Sequence, residues 1–225
     1  MLLANLLFRQ YGLPLYDQPT APLRLKVRML KAEVMETMLY GCVTWSPTIA
    51  HLAILRKTHH RLFLRCIGWK RKHDDVYHVL SYADALAKTG CENVDTTVRK
   101  QRILFAGFVA RMGNVTLSKR VTFGELEGGK GYVGGQEQDW MGCLERDLSL
   151  FNLPTETKQW MLAAKNSGKW FRRVEESAEQ YMKRWFSQNA AKRRALEVQT
   201  AQQLETSSSP RLGGGGERGA ALKEA

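Results

Sequence analysis

The chain has 225 residues, 44% of them hydrophobic, and a formal net charge of +12. This length and composition allow a domain with a sizeable core and exclude a chain that is disordered throughout. The longest apolar run, Ile103–Ala110, is far shorter than the roughly 20 residues that cross a bilayer. The opening "MLLANLLFRQ" has no basic residue before its apolar stretch and no cleavage site after it, unlike a signal peptide. We therefore expect that the protein does not contact a membrane. We also expect that it is nuclear or cytoplasmic and is not secreted.

Two helices are predicted in the first third of the chain. Thr20 and Pro22 open a segment that closes at Gly41, with apolar residues at helical spacing: Leu23, Val27, Leu30, Val34 and Met38. In the next segment, Ser46 supplies an N-cap, Pro47 occupies the first helical position and Gly68 ends the helix. Its apolar stripe consists of Leu52, Leu55, Leu62, Phe63, Cys66 and Ile67. Both segments have marked ends and one apolar face, which is typical of amphipathic helices.

Two further helices are predicted after residue 80. Ser81 and Asp84 match a capping box with Asp in place of the usual Glu, and Gly90 ends the short helix that they begin. The next segment stops at Gly113 and carries its apolar residues on one broad face: Val94, Val98, Phe105, Phe108, Val109 and Met112. Arg99, Arg102 and Arg111 fall largely off this face, so we expect them on the polar side of the helix.

The rest of the chain combines a loop, aromatic-rich helices and a polar tail. Residues 124–135, "GELEGGKGYVGG", hold too many glycines for a helix and predict a flexible loop. Helical spacing then resumes, with an interruption at Pro154, through Trp140, Leu144, Leu148, Phe151, Trp160, Trp170, Val174, Tyr181 and Trp185. The tail from Ser187 is too polar to offset its ordering entropy. We predict that it is disordered, with a lone helix over its first part as the alternative.

The predicted fold class is mostly α, because few alternating β-branched runs occur. We expect an irregular multi-helix bundle with a Gly-rich loop and a disordered C-terminal tail. Its predicted organisation is a partial N-terminal segment over 1–24, a helical domain over 25–186 and a polar tail over 187–225. Apolar residues at 2–8 are expected to be exposed. The widely spaced cysteines indicate reduced core thiols: Cys42, Cys66, Cys91 and Cys143.

The excess positive charge is concentrated in two segments. Residues 56–72 and 99–120 contain no acid, and their basic residues account for the net charge because the others nearly balance the 22 acids. Such a concentration is typical of a polyanion-binding surface, with solvated helix faces as the alternative. The predicted nucleic-acid-binding residues lie in these segments: Arg61, Arg65, Lys70, Arg71, Arg99, Lys100, Arg102 and Arg111.

No sequence pattern predicts an active site or a metal site. Tyr82-Ala83-Asp84 is similar to the aromatic-x-Asp-Asp turn that holds metal ions in polymerases, but Ala85 replaces the second carboxylate. The acidic pair at 74–75 has no strand pattern before it. Four residues are candidate zinc ligands: His59, Cys66, His73 and His78. Their spacing in the sequence is not typical of a zinc site. We expect no catalytic residue, no metal and no cofactor.

A set of ordered sequence blocks within residues 25–186 resembles one protein family. The blocks are "LYGCVTW" (39–45), "RLFLRCIGW" (61–69), "LAKTG" (86–90), "VRKQRILFAGFVARM" (98–112) and "WMGCLERDL" (140–148). In this order they resemble the segment C-terminal to the polymerase palm in non-LTR (long interspersed element) retrotransposon reverse transcriptases. The resemblance implies a thumb and C-terminal connector, the part that in this family lies against template RNA or primer duplex.

The sequence also departs from that family. Gly107-Phe108-Val109 stands where the family has Gly-His-Val, so no role of that histidine carries over. No palm precedes Leu39, so the family's catalytic carboxylates have no counterpart and we expect no enzyme activity. The resulting hypothesis is a truncated reverse-transcriptase fragment that binds RNA or RNA–DNA hybrid non-specifically through basic helices. The alternatives are a helical structural or protein-interaction remnant, and a fragment that works with a palm domain supplied in trans.

Overall fold

The computed structural model describes residues 15–68, 80–123 and 139–208. All regular secondary structure in these ranges is helical, which confirms the predicted mostly α multi-helix bundle. Several predicted features lie outside the described residues: the apolar stretch 2–8, Lys70 and Arg71, the acidic pair 74–75, the Gly-rich loop 124–135 and the end of the tail, 209–225.

The first helical segment has three consecutive parts: α1 (Leu23–Met29), a π-helical turn (Leu30–Met35) and α2 (Glu36–Met38). A 3-10 turn at Cys42–Thr44 follows. The central helices are α3 (Ile49–Ile67), α4 (Tyr82–Thr89), α5 (Val94–Ala110) and α6 (Leu117–Phe123). The described chain ends with α7 (Trp140–Leu150), α8 (Thr157–Ala164) and α9 (Ser167–Ser208).

The ends of the central helices follow most of the sequence signals. Gly68 and Gly90 end α3 and α4 in the left-handed conformation that glycine adopts without strain. The predicted start of α3 at Ser46 is wrong, because Thr48 is the N-cap. Its hydroxyl accepts the N–H of His51 at 3.3 Å, and the His51 imidazole accepts the N–H of Thr48 at 3.4 Å. Ser46 could not form this reciprocal box, since the third residue after it is an isoleucine.

Two hydrophobic cores share α5. The N-terminal core joins the first helical segment, α3 and α4, and it receives Val94 and Val98 from α5. The C-terminal core joins α7, α8 and α9, and it receives Ile103 and Ala106 from α5. All four cysteines are buried free thiols, as predicted. Burial raises the pKa of Cys42 to about 11 and that of Cys66 to about 12, so both are protonated at neutral pH.

The buried side of α5 matches the predicted one only in part, because Val94, Val98 and Val109 are buried as predicted but other positions are not. Phe108 is 52% exposed, whereas Arg102 is only 2% exposed. The helix contacts the 3-10 turn, α3, α6, α7 and α8, so most of its circumference is covered. Ala106 and Gly107 lie in the buried part and contribute almost nothing to a hydrophobic pattern. The apolar pattern therefore predicted a single buried side, whereas α5 is buried on several sides.

The described residues divide into two compact units, with the boundary between Phe186 and Ser187 inside α9. In the first unit, Tyr16 is buried in the N-terminal core, so the described part of the first 24 residues packs with the helices that follow. In the second unit, α9 continues to Ser208, which matches the lone helix predicted as the alternative to disorder. No helix in the described ranges is both long enough and apolar enough to span a membrane.

Candidate functional site

Arg102 lies inside the protein rather than on the polar side of α5, where the sequence predicts it. Its guanidinium forms a buried ion pair with Asp147 of α7 and donates from Nη2 to the carbonyl oxygen of Trp45 at 2.8 Å. A buried guanidinium is tolerated only where such partners replace water. Arg102 therefore connects α5, α7 and the segment before α3, and it does not lie on an exposed face of α5.

Arg99 and Lys100 are also paired within the protein. Arg99 places Nε 3.4 Å from the Asp147 carboxylate and donates from Nη1 to the Tyr181 hydroxyl at 3.0 Å. Lys100 lies between two carboxylates, 2.9 Å from Glu92 and 3.2 Å from Glu175. Burial raises the pKa of Asp147, while the positive charges of Arg102 and Arg99 act in the opposite direction. The acid-free segment 99–120 is thus partly neutralised by acids distant in sequence.

The other predicted binding residues lie apart from this cluster. Arg65 forms an ion pair with Asp17 at 2.7 Å. Arg61 is exposed on α3, and Arg111 is exposed while donating to the carbonyl oxygen of Ala164 at 2.9 Å. Lys70 and Arg71 lie outside the described residues. Of the eight predicted residues, the structure brings Arg99 and Arg102 together, on one buried carboxylate.

A different set of cations lines a groove of about 790 Å³ beside α1, the π-helical turn and the end of α4. We call it the basic groove, and its cations are Arg24, Arg28, Lys31 and Lys88. All four residues are exposed. In the part of the chain that the structure describes, none of them forms a hydrogen bond or ion pair, and no acidic side chain lines the groove. The basic groove therefore carries positive charge that other described side chains leave uncompensated.

Helical spacing positions the three cations of the first segment. Arg24, Arg28 and Lys31 follow one another at intervals of four and three residues, which places them on one face. The neighbouring face is fixed in the N-terminal core by Val27, Leu30 and Val34. The row is about 10 Å long at helical rise, an axial length over which one duplex strand presents about three phosphates. The three cations therefore form one continuous row of positive charge along the segment.

The sequence contains part of the signal for the basic groove, although the concentration of charge along the chain points to other residues. The spacing of Arg24, Arg28 and Lys31 is visible in the sequence, beside the predicted apolar stripe. Residues 18–32 also contain no acid, but they hold four basic residues, fewer than either of the two segments with concentrated charge. Lys88 is brought to the groove only by the contact between α1 and α4.

Within the described ranges, no group of three or more His, Cys, Asp or Glu side chains is arranged to hold a metal ion. Of the zinc ligands considered from the sequence, His59 and Cys66 are buried beside the N-terminal core, whereas His73 and His78 lie outside the described residues. The Tyr82-Ala83-Asp84 segment forms the first turn of α4. There the N–H of Asp84 donates to the Ser81 hydroxyl at 3.2 Å, which confirms the predicted cap.

Comparison of the chain with protein families, curated proteins and solved structures finds no significant match. The resemblance to reverse transcriptases thus rests on the sequence blocks alone.

Proposed function

We propose that this chain is a helical nucleic-acid-binding module whose basic groove engages the phosphate backbone of structured RNA or RNA–DNA hybrid. The observation that carries the proposal is the set of four exposed cations, unpaired within the described residues, along one groove. Contacts of this kind give affinity through counterion release and do not read base sequence. Binding is therefore tolerant of sequence.

The choice of RNA is supported by the sequence blocks that resemble the segment after the palm of non-LTR retrotransposon reverse transcriptases. In that setting the chain corresponds to a thumb and connector, which holds a duplex rather than performing chemistry on it. An A-form helix is recognised by its backbone and 2′ hydroxyls, since side chains cannot enter its deep, narrow major groove. A row of cations on a helix face is suited to such backbone contacts.

The proposed binding residues differ from those selected by charge concentration. Arg99, Lys100 and Arg102 have internal partners and lie outside the basic groove, so they are not among the groove residues proposed to bind the nucleic-acid backbone. The exposed residues Arg61 and Arg111 remain candidates for additional phosphate contacts.

The test is salt-dependent binding to labelled RNA hairpins and RNA–DNA hybrids of unrelated sequence, measured by fluorescence anisotropy. For the unmodified protein, log affinity should fall against log salt by roughly 0.7 to 0.9 per phosphate engaged. The triple variant Arg24→Gln, Arg28→Gln, Lys31→Gln should weaken binding to every sequence. It should also flatten the salt slope by about one for each lost contact.

The matched control removes the same charge from a different surface. Lys169, Arg172 and Arg173 are exposed on α9, so replacing these three by Gln lowers the net charge equally. This variant should keep the salt slope of the unmodified protein. Equal losses in the two triple variants would show general charge attraction and refute a specific groove.

A second candidate, a protein-interaction module, is favoured by an apolar cleft. The cleft measures about 760 Å³, and its lining includes Tyr40, Trp45, Pro47 and Ile54. Tyr40 is 86% exposed. A palm domain supplied in trans would suit such a surface, because exposed aromatic and aliphatic side chains are typical of protein interfaces. Undetectable nucleic-acid binding even at low salt would favour this candidate.

A further inference from the structure

A second, smaller cavity lies between the start of α3, α5 and α7. Its volume is about 120 Å³, and its lining includes Ile49, Arg99, Arg102, Cys143, Arg146 and Asp147. We call it the arginine cavity. Ile49 and Arg146 are exposed, so the cavity is open to solvent on their side.

The charges around the arginine cavity are unbalanced. Arg99 and Arg102 share the single carboxylate of Asp147. Arg146 has weaker partners within its own helix: Nε donates to the Gly142 carbonyl oxygen at 3.1 Å, and Nη2 lies 3.4 Å from the Cys143 sulfur. Three guanidinium groups and one carboxylate leave two positive charges in excess among the described lining residues.

Arg102 also retains an unfilled donor. A guanidinium has five N–H groups, and buried donors nearly always find an acceptor. Nη1 and Nη2 of Arg102 have partners, yet Nε is buried without a hydrogen-bond partner among the described residues. This nitrogen is closed to solvent, so an anion in the cavity would balance the excess positive charge of the three guanidinium groups without reaching this donor.

We propose that the arginine cavity binds one phosphate-sized oxyanion. Its volume is about four times the roughly 30 Å³ that a water molecule occupies in the liquid. That space is large enough for a tetrahedral oxyanion. Guanidinium groups are well suited to such a ligand, because their planar donors form paired, charge-assisted hydrogen bonds with phosphate oxygens. The proposal is independent of the basic groove, which lies on other elements.

The oxyanion can be free phosphate or a single phosphate group of a nucleic-acid strand, which share the same chemistry. The probe is inorganic phosphate, added to the full chain at constant ionic strength with chloride as the reference salt. Phosphorus-31 NMR line width reports binding directly, and the thermal unfolding midpoint reports it through stabilisation of the folded state. Arg146→Gln is the test variant, because Arg146 is exposed and its loss leaves the Arg102–Asp147 pair in place.

We expect saturable broadening and a raised unfolding midpoint with phosphate, beyond any effect of chloride. Arg146→Gln should weaken this binding by about tenfold, the typical effect of losing one charge-assisted hydrogen bond. Arg172→Gln, an exposed residue on α9, is the matched control and should bind phosphate as the unmodified protein does. Absence of saturable phosphate binding, or equal binding by Arg146→Gln and the unmodified protein, would overturn the proposal.

Two further arms distinguish the source of the oxyanion. In the first arm, phosphate is added at constant ionic strength to the protein with a bound RNA hairpin. Displacement of the hairpin would show that the cavity takes a backbone phosphate. No displacement would show that the ligand is a free oxyanion. The triple variant of the basic groove should retain phosphate binding. Loss of RNA binding in that variant with phosphate binding intact would show that the two sites act separately.

Discussion

His59 is held as a neutral imidazole at the edge of the N-terminal core. It is 2% exposed, and its Nδ1 lies 2.7 Å from the Tyr82 hydroxyl. That hydroxyl accepts the N–H of Val94 at 3.1 Å, so it can donate its own hydrogen to Nδ1. The imidazole also meets the Phe63 ring edge to face. Burial lowers the pKa of His59 to about 3, far below the 6.5 of a free imidazole.

The lowered pKa of His59 predicts a loss of stability in acid. Between pH 6.5 and about 3 the unfolded chain binds a proton at this residue while the folded chain does not. The free energy of unfolding therefore falls as pH falls through this window. From pH 7 to pH 5, the advantage of the unmodified protein over His59→Asn should shrink by about 2 kcal/mol. Urea unfolding at both pH values measures it.

The control for this prediction is His51→Asn, since His51 is exposed. His51→Asn shows how the loss of an exposed imidazole alone changes the free energy of unfolding at the two pH values. A stability difference between the unmodified protein and His59→Asn that stays constant from pH 7 to pH 5 would contradict a neutral buried His59.

Asp84 has a local structural partner in Ser81. Its N–H donates to the Ser81 hydroxyl, and that hydroxyl lies 2.7 Å from the Asp84 carboxylate. Asp84→Asn keeps the backbone bond and should cost at most about 1 kcal/mol, whereas Ser81→Ala removes the cap and should cost about 1 kcal/mol or more. Thermal unfolding compares the two. Ser149→Ala, at an exposed position within α7, is the control, and a larger loss for Asp84→Asn than for Ser81→Ala would disprove this role.

At the scale of helices, one close contact sets how α5 and α9 pack. Gly107 of α5 faces the indole of Trp170 from α9, which is buried and lies with its Nε1 3.4 Å from the Ile103 carbonyl oxygen. A Cβ atom on Gly107 would lie 2.7 Å from Cδ1 of Trp170 and closer still to Nε1. Glycine is therefore required here by space, although it is a poor residue for the interior of a helix.

Gly107→Ala should destabilise the protein despite the better helix propensity of alanine. Propensity favours alanine by about 1 kcal/mol, but forcing the indole out of its position costs typically about 1 to 3 kcal/mol. Chemical denaturation measures the net effect. Gly113→Ala is the matched control, since no atom lies within 4 Å of its added Cβ. The double variant Gly107→Ala, Trp170→Phe should lose less than the sum of the single losses, because the smaller ring relieves the overlap; additive losses would contradict this contact.

For the molecule as a whole, net charge is a poor guide to where a ligand binds. Cations of α3 and α5 are paired with acids from other parts of the chain, as in Arg56 with Asp95 and Lys100 with Glu175. Much of the charge that is concentrated in sequence is therefore neutralised in space. The two sites proposed above, the basic groove and the mouth of the arginine cavity, retain exposed cations in the described part of the chain.

The sequence by itself determined most of the helices and many of their ends, although it did not predict α6. Gly68 and Gly90 end their helices as predicted, Ser81 caps α4, and the apolar stripes of the first segment, α3 and α7 are buried. These features depend on hydrogen bonds between residues at most four positions apart and on the helical repeat of 3.6 residues. They can therefore be predicted from the local sequence.

Only the tertiary structure decided which cations have partners. Arg102 is buried because α7 brings Asp147 to it, and Lys88 joins Arg24 and Arg28 because α4 lies beside α1. The physical reason is that burial and ion pairing depend on side chains distant in sequence, and their positions follow from how the helices pack. A helical periodicity shows which residues share a face, but the acid that neutralises an arginine comes from another helix.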